Sequence, residues 1–307
     1  ITVVGSSTVY PFSTVVAERF GKATGNPTPK VESTGTGGGM KKFCTGQIEI
    51  TGASRPIKAK EVTKCAEQGI EFIEVPVAYD GIAVVLHKDN SWAQRVTVAE
   101  LKKMWQPEAQ DKVKRWNQIR ADWPDAPLNL FGPGIDSGTY DYFTKAIVGT
   151  EHSSRGDFTS SEDDNVIVQG VSTDINSIGF FGYAYYKENA AKLGLAAVAT
   201  GEGPGVKPTL KTVGDGTYKP LSRPIFVYIS KKVAARPDVK AFMHFYLANE
   251  GRKLVEEVGY IGLPDAVNQA ALKRYDSQRV GSIFSGGSKV GARLEDMLNC
   301  HQAGQKI

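Results

Sequence analysis

The sequence predicts an α/β fold in two lobes, each a mostly parallel sheet flanked by helices. With 307 residues the chain is too long for one small core, so two substantial interiors are expected. A strand, a loop rich in Gly, Ser and Thr, and a helix follow one another twice near the N-terminus and again over residues 128–148. This alternation is typical of parallel sheets, whose ligands bind beyond the carboxyl ends of the strands.

Hydrophobic patterning predicts the individual elements. The predicted strands cover residues 1–4, 30–33, 48–53, 81–86, 128–131, 178–183 and 224–229. The predicted helices open at Pro11 and cover, further along, residues 40–45, 101–105, 116–120, 139–148, 239–248 and 251–257. Gly21 and Gly25 are expected to end the first helix and Gly149 the fifth. Residues 201–220 are rich in Gly, Pro and Thr and are expected to form surface loops.

The order of these elements predicts a discontinuous first lobe. The strand at 81–86 leads into a region with its own strand and helix pattern, and the strand at 224–229 returns the chain. The first lobe is therefore predicted to comprise residues 1–81 and 225–307, and the second lobe residues 82–224. Two crossings of this kind make a hinge, about which we expect the lobes to close on a ligand.

Composition narrows the class of protein. Lys and Arg number 37 against 33 Asp and Glu, a formal charge of +4, and the cations are scattered among acids, which disfavours nucleic-acid binding. No apolar run approaches the length of about 18 residues that a membrane helix needs. The chain begins at Ile1 without an initiator Met, and we expect a secreted chain whose signal peptide has been removed, although a trimmed chain would look the same.

The three cysteines are Cys44, Cys65 and Cys300. Cys44 and Cys65 both fall in the first lobe, where a strand and a turn could bring them within bridging distance, so a disulfide is expected in an oxidising compartment. The alternative is a pair of buried free thiols. Cys300 stands apart in a polar C-terminal stretch, as a free thiol or as part of a tail that contacts a partner.

Three loops share a composition suited to a tetrahedral oxyanion, each directly before a helix. The start of a helix leaves N–H groups unpaired and carries partial positive charge, and Ser and Thr hydroxyls add further donors. One such loop alone is more often an ordinary cap or turn. Three of them, divided between two lobes, favour an anion site. Residues 35–39 lack the Lys-Ser/Thr ending of a nucleotide-binding P-loop.

The loops belong to an ordered set of motifs that covers nearly the whole chain. In order they are GSSTVYP at 5–11, STGTGGG at 33–39, ASRPI at 53–57, AYDG at 78–81 and DSGT at 136–139. The set resembles the periplasmic or surface phosphate-binding proteins of the phosphate ABC transporter, in the type II periplasmic-binding-protein family. This resemblance implies a two-lobed fold with two crossover strands, and inorganic phosphate held in the cleft between the lobes. It also implies delivery of phosphate to a membrane permease from the periplasm or the cell surface. We further expect a monomer, without cofactor or metal.

The resemblance also implies the ligands of the phosphate. In the first lobe they are Ser7, Thr8, Val9 and Thr36, with the hydroxyl of Thr8 and the N–H of Val9 as donors. In the second lobe they are Ser137, Gly138 and Thr139.

The charged groups depart from the commonest family pattern. Arg55 stands where many members have an acid, and Pro133 stands near the usual place of an Arg. A relocated cation accounts for both changes, with the planar fork of Arg55 offered to the phosphate. The alternative is that Arg55 is an exposed surface cation.

The missing acid matters because phosphate carries a proton at neutral pH and sulfate does not. A buried carboxylate can accept a hydrogen bond from phosphate, whereas it repels sulfate. Asp80 and Asp136 are the candidates, and either could instead cap a turn or a helix. The sequence does not choose between them.

Other functions are less well supported by the residues. The histidines are isolated, at His87, His152, His244 and His301, and neither a zinc-binding HExxH motif nor a GxSxG nucleophile elbow occurs. We therefore expect a binding protein and no catalytic residues, with a phosphatase-like enzyme as a weaker alternative that uses the same loops. A further alternative is another oxyanion, such as sulfate, molybdate, arsenate or phosphonate.

Replacement of the proton acceptor tests the role of the carboxylates. Either Asp136→Asn or Asp80→Asn should weaken phosphate binding and relax the exclusion of sulfate, because the variant side chain no longer repels an unprotonated anion. Calorimetric titration of both variants with both anions measures this ratio. If neither variant changes it, a carboxylate acceptor at these two positions is ruled out.

Overall fold

The computed structural model describes residues 1–6, 8–135, 137–284 and 294–302. The strands within these residues are β1 (Thr2–Gly5), β2 (Lys30–Ser33), β3 (Ile50–Ala53), β4 (Phe72–His87), β5 (Arg95–Thr97), β6 (Asn129–Pro133), β7 (Thr159–Ser161), β8 (Ser177–Gly182), β9 (Leu193–Leu195), β10 (Ala197–Ala199), β11 (Ser222–Ser230) and β12 (Ile261–Gly262). The α-helices are α1 (Tyr10–Thr24), α2 (Gly35–Cys44), α3 (Ala59–Glu67), α4 (Val98–Trp105), α5 (Gly138–Phe143), α6 (Asp164–Thr173), α7 (Tyr183–Asn189), α8 (Leu210–Gly214), α9 (Lys231–Ala234), α10 (Pro237–Leu247), α11 (Asn249–Glu257), α12 (Asp265–Asp276) and α13 (Leu294–Gln302). Short 3₁₀ helices cover Pro107–Ala109 and Trp116–Gln118, and α5 continues as a π-helical turn over Thr144–Val148.

The chain packs as two compact units. The first comprises Ile1–Tyr79 and Arg223–Ile307, and the second comprises Asp80–Ser222. The chain passes between the units within β4 and within β11. The crossing points predicted from sequence, after residues 81 and 224, each lie two residues further along than these. Both strands continue through the crossing without a break, so the sequence carries no signal at the boundary itself.

The sheet of the first unit has a parallel centre. Its strand order is β2-β1-β3-β11, in which β1 pairs parallel with both β2 and β3. The returning strand β11 pairs antiparallel with β3. β12 adds an antiparallel contact to β4 at Ala78 and Tyr79. The carboxyl ends of β1, β2 and β3 therefore lie at one edge of this sheet.

The second unit repeats the arrangement with different strands. Its order is β4-β8-β6-β7, with β6 parallel to both β7 and β8, and with β4 antiparallel to β8. β9 pairs with β4, while β5 and β10 form a separate parallel pair. The predicted α/β class, with mostly parallel strands flanked by helices in two lobes, is confirmed.

In the first unit, α1 buries one aromatic face against α10. Phe12 and Phe20 are fully buried, two turns apart on the same side of α1, and their rings meet Tyr246 and Phe242 edge to face. The hydroxyls of Ser13 and Tyr246 share a hydrogen bond of 2.7 Å, which satisfies the buried phenol. Gly25, with φ of 70°, closes α1 by donating its N–H to the carbonyl of Gly21, as predicted. Gly21 itself does not end α1, which continues to Thr24.

In the second unit, Trp105 forms the centre of an aromatic cluster. Its ring lies within 5.5 Å of the rings of Phe143, Phe158 and Phe180, and Phe143 stacks on Phe180. Each favourable ring pair contributes about 1 kcal/mol beyond the burial of its area. The cluster anchors the end of α5 to β8, and so fixes the helix that follows the predicted Ser-Gly-Thr loop.

Two predicted elements were wrong. The second helix begins at Gly35 and not at Met40, so the glycine-rich segment is its first turn. Glycine is a poor helix former, which hid this turn from propensity arguments. The segment at 201–220 also contains a helix, α8, which a reciprocal cap between Thr209 and Thr212 begins.

The predicted disulfide is confirmed. Cys44 on α2 and Cys65 on α3 are bonded, with their Cα atoms 4.2 Å apart, which excludes the alternative of two free thiols. A cross-link between residues separated by 21 positions stabilises a fold by about 3 kcal/mol. It also fixes α3 against α2. The side chain of Cys300 lies outside the described part of the chain.

A buried carboxylate joins three parts of the first unit. Glu74 on β4 is fully buried and accepts hydrogen bonds from the hydroxyls of Tyr228 and Ser282 and from the N–H of Ile283. Burial raises the pKa of Glu74, and these hydrogen bonds oppose that rise. Glu74 therefore ties β4 to β11 and to the segment that follows α12.

Among the described residues, no helix combines the length and the apolar character needed to cross a bilayer.

Two Arg–Asp pairs share a spacing and differ in burial. Arg155 is only 4% exposed and donates two hydrogen bonds to Asp157 as well as bonds to the carbonyls of Met104 and Val113. Arg236 is 42% exposed and donates two hydrogen bonds to Asp238. Hydrogen bonds from the arginine lower the pKa of each aspartate to about 2. Solvent screens the charges of the exposed pair. The Arg155–Asp157 pair should therefore contribute more to the free energy of unfolding than the Arg236–Asp238 pair.

The Asp157→Asn variant should lower the free energy of unfolding at neutral pH by about 2–3 kcal/mol, because a buried guanidinium loses its counter-charge. A lowered carboxyl pKa contributes stability above the ordinary pKa of Asp, and this contribution is lost as the pH falls from about 4 towards 2. The difference between wild type and variant should shrink over that range. The Asp238→Asn variant should lose less than about 1 kcal/mol, because Arg236 is exposed and also keeps Glu49 as an acidic partner. Denaturant unfolding at several pH values measures both, and equal losses in the two variants would contradict the argument from burial.

Candidate anion-binding site

The parallel strands of the first unit deliver three loops to one edge of the sheet. In register, Gly5 of β1 lies beside Ser33 of β2 and Gly52 of β3. Backbone hydrogen bonds continue past the strand ends, from the N–H of Ser6 to the carbonyl of Gly52 and from the N–H of Thr34 to the carbonyl of Gly5, both 2.9 Å. The loops that precede α1 and α2 are therefore held together by the backbone.

The first loop is a tight turn organised by Ser6. The Ser6 hydroxyl accepts the N–H of Thr8 at 3.1 Å, and the Ser6 carbonyl accepts the N–H groups of Val9 and Tyr10 at 3.1 and 2.9 Å. The N–H of Val9, predicted as an anion donor, is thus used within the turn. Among the described residues of this loop, Thr8 therefore offers a hydroxyl that can be directed to a ligand. Ser7 lies outside the described residues.

Arg223 is a neighbour of this loop that sequence reasoning missed. Its Nη2 lies 3.4 Å from the Oγ1 of Thr8. Because β11 runs antiparallel to β3, with Phe226 opposite Ala53, its first residues lie beyond the carboxyl end of β3. The pairing of β11 with β3 would have indicated that Arg223 lies near this loop. The two strands are distant in sequence, so the sequence alone does not show the pairing.

The second loop brings two hydroxyls together at the start of α2. The Oγ atoms of Thr36 and Ser54 lie 3.2 Å apart, and the Thr36 hydroxyl also accepts the N–H of Ser54 at 3.3 Å. Gly35 has φ of 72°, a left-handed conformation that only glycine adopts readily, and it turns the chain into the helix. The first N–H groups of α2 have no acceptor within the helix and carry partial positive charge.

A close approach of α2 to β1 requires glycine at position 39. A Cβ atom there would lie 2.5 Å from the Oγ1 of Thr51, 2.6 Å from the Cα of Gly5 and 2.8 Å from the carbonyl oxygen of Val4. Backbone atoms cannot move aside easily. The glycine run therefore lets the helix lie directly on the strand that ends at the first loop.

The guanidinium group of Arg55 forms an ion pair within the first unit. Its Nη1 and Nη2 donate to the two carboxylate oxygens of Glu61 at 2.9 and 2.8 Å, and Nη1 also donates to the carbonyl of Pro56. Arg55 is 21% exposed and Glu61 12% exposed, so the pair is largely shielded from solvent. Burial raises the pKa of Glu61, but the hydrogen bonds from Arg55 and from the N–H of Lys58 outweigh it and leave that pKa below its ordinary value. Arg55 is therefore not an exposed surface cation, and its predicted contact with the anion stays a prediction.

The loop of the second unit follows β6 and precedes α5. Ser137 is the N-cap of α5, and its hydroxyl accepts the N–H of Thr139 at 3.2 Å. The N–H of Ser137 donates to the carbonyl of Gly134, and Gly134 in turn donates its N–H to Ser161 at the end of β7. The turn places Gly138 and Thr139 in the first helical turn. Asp136 lies outside the described residues.

Burial affects two carboxylates of the second unit. Asp80, one of the predicted proton acceptors, is only 3% exposed on β4. Asp164, at the start of α6, has its pKa raised to about 6 by burial and by the neighbouring carboxylates of Asp163 and Glu162. Asp80 is thus a buried acid, as its predicted role requires, while the role itself stays a prediction.

Comparison with known proteins identifies the family. A family model described as a PBP superfamily domain matches residues 1–250. This chain belongs to the PBP superfamily. Among curated members, protein SphX of Synechococcus elongatus is 47% identical over 97% of this chain and 88% of its own length. The phosphate-binding protein PstS of Staphylococcus haemolyticus is 35% identical over 89% of this chain and 85% of its own length.

A solved member of the superfamily supports the same assignment. The crystal structure of a possible phosphate binding protein from Planctomyces limnophilus superposes on this chain with a TM-score of 0.84 at 44% identity. The alignment covers 91% of this chain and 98% of that protein. The family resemblance that the sequence motifs indicated is confirmed.

Adding a methyl group at two neighbouring glycines tests the close contact of α2. Gly39→Ala should lower the free energy of unfolding by about 1–3 kcal/mol, because the new Cβ has no space against β1. The control is Gly37→Ala, where a Cβ meets nothing within 4 Å and alanine favours the helix, so stability should be unchanged or raised by about 0.5 kcal/mol. Denaturant unfolding of both variants checks this, and a stable Gly39→Ala protein would mean that the contact is looser than described.

Proposed function

We propose that this protein binds inorganic phosphate and delivers it to the membrane permease of an ABC import system. The proposal rests on the hydroxyl groups that lie together at one edge of the sheet of the first unit. Thr8 lies on the loop that enters α1, Thr36 lies at the start of α2, and Ser54 directly follows β3, so these hydroxyls stand near the carboxyl ends of parallel strands. A tetrahedral anion can accept from these hydroxyls and from the N–H groups that open α2.

The loop of the second unit offers the same chemistry. The hydroxyl of Thr139 lies at the start of α5, as that of Thr36 lies at the start of α2, and Ser137 shapes the turn by accepting the N–H of Thr139. We propose Ser137, Gly138 and Thr139 as phosphate ligands on this basis. The cleft between the lobes and its closure about the crossing strands, expected from sequence, stay predictions, as do the roles of Ser7 and Asp136.

The relatives support the anion as phosphate. PstS of Staphylococcus haemolyticus is named a phosphate-binding protein, and the Planctomyces limnophilus structure is that of a possible phosphate binding protein. Both are similar to this chain over most of its length. Selection of phosphate over sulfate would need an acceptor for the phosphate proton, and the buried Asp80 is a described candidate for it.

Delivery of phosphate to a membrane permease from outside the cytoplasm requires that the chain be exported. We therefore propose a periplasmic or cell-surface location. The disulfide between Cys44 and Cys65 supports an oxidising compartment. The predicted monomeric state can be measured by light scattering of the purified protein.

Catalysis is the competing class of function. Among the described residues, no group of three or more His, Cys, Asp or Glu side chains is arranged to hold a metal ion. The non-enzymatic role stays a prediction, and incubation with a phosphomonoester tests it. Release of phosphate at a rate that scales with protein concentration would overturn a purely binding role.

Calorimetric titration with phosphate, sulfate, arsenate, molybdate and a phosphonate tests the proposed ligand. We expect one phosphate per chain with a dissociation constant of about 1 μM or tighter, and sulfate weaker by about 100-fold or more. The Thr8→Val variant should bind phosphate about tenfold more weakly, because it loses one hydrogen bond to a charged ligand. The control is Thr14→Val on α1, whose hydroxyl donates to the carbonyl of Tyr10 and should not affect affinity. Tighter binding of another anion, or equal affinities of the two variants, would contradict the proposal.

A further inference from the structure

We infer that Arg223 supplies the cationic contact to the bound phosphate, the role that sequence reasoning gave to Arg55. This inference rests on the proposed function and assigns one more residue to the same site. Three observations carry it: the engagement of Arg55, the position of Arg223 against Thr8, and the course of β11.

Arg55 is committed to a contact of its own. Its guanidinium meets the carboxylate of Glu61 in a bidentate pair, and a third hydrogen bond goes to the carbonyl of Pro56. Glu61 also accepts the N–H of Lys58 at 2.8 Å and so caps the start of α3. An anion that bound the guanidinium of Arg55 would have to displace the carboxylate of Glu61. This displacement is unfavourable because it leaves a shielded carboxylate without its counter-charge.

The helix that carries Glu61 is itself held in place. The disulfide from Cys65 fixes α3 to α2, whose first turn forms the second loop. Glu61 therefore cannot withdraw from Arg55 without disturbing the capping of α3. Arg55 acts as a support of the loop that follows β3, next to Ser54.

Arg223 lies against a proposed phosphate ligand. Its Nη2 is 3.4 Å from the Oγ1 of Thr8, and both residues belong to the first unit. An anion oxygen that accepts the Thr8 hydroxyl at a normal distance of about 2.7 Å lies within about 6 Å of this guanidinium nitrogen. At that distance a positive charge attracts an anion, and a small rotation of the side chain gives a direct hydrogen bond.

The backbone places Arg223 at this edge. β11 runs antiparallel to β3, so its start lies beyond the strand end that carries Ser54 and Arg55. Pro224 follows directly and favours an extended conformation at Arg223. The cation and the hydroxyl thus reach the same edge from strands that are distant in sequence.

Neutral variants of the two arginines test the inference. Calorimetry of the full chain should show that Arg223→Gln weakens phosphate binding by about 10- to 100-fold, and Arg55→Gln by less than about threefold. Arg223→Lys keeps the charge but not the planar fork, and should recover part of the loss. The affinity of Arg223→Gln should also depend less on salt concentration than that of the wild type, a change that a purely structural role would not produce.

The outcomes separate this inference from the proposed function. Wild-type binding that Arg223→Gln leaves intact, or that Arg55→Gln abolishes in a folded protein, overturns the role of Arg223 and leaves phosphate binding standing. A wild-type protein that binds no phosphate overturns the proposed function, and this inference with it. If Arg223→Gln does not fold, Arg223→Lys decides. A loss of less than about tenfold with the salt dependence of the wild type supports a charge contact, whereas a loss of about tenfold or more, or a changed salt dependence, contradicts it.

Discussion

The parallel pairing of β1 with β2 on one side and β3 on the other is the constraint on which the site depends. It aligns three strand ends, so that the loops before α1 and α2 meet Ser54 at one edge. Close packing follows from it. A Cβ at Gly5 would lie 2.2 Å from the carbonyl oxygen of Gly52, and a Cβ at Gly39 would collide with β1, so neither position accepts a side chain. Small residues here allow the backbone and hydroxyl donors to converge.

Charge at this edge is divided between two roles. Arg55 pairs with Glu61 and supports the loop after β3, while Arg223 lies beside the Thr8 hydroxyl. A buried ion pair adds little net stability compared with apolar packing, but it fixes the geometry of the groups that it joins. We therefore regard the first arginine as structural and the second as the cation that an anion meets.

The sequence predicted the fold class and the strand–loop–helix order because hydrophobic periodicity, Pro11 and Gly25 are local signals. It placed the start of α2 at Met40 because glycine weakens helix propensity, while the packing that requires Gly39 is tertiary. Thr8 and Thr36 were predicted through their motifs, and their role as ligands stays a prediction. Arg223 was not found, since only the antiparallel pairing of β11 with β3 brings it to Thr8, and the partner of Arg55 was hidden because bidentate geometry cannot be read from spacing.

A crystal structure of the phosphate complex tests the central claim most directly. We expect phosphate oxygens to accept hydrogen bonds from the hydroxyls of Thr8 and Thr36, with Arg223 in contact with the same anion and Arg55 still paired with Glu61. Phosphate held by Arg55, with Glu61 displaced, would contradict the division of charge described above. Phosphate bound away from the ends of β1 and β2 would contradict the site itself.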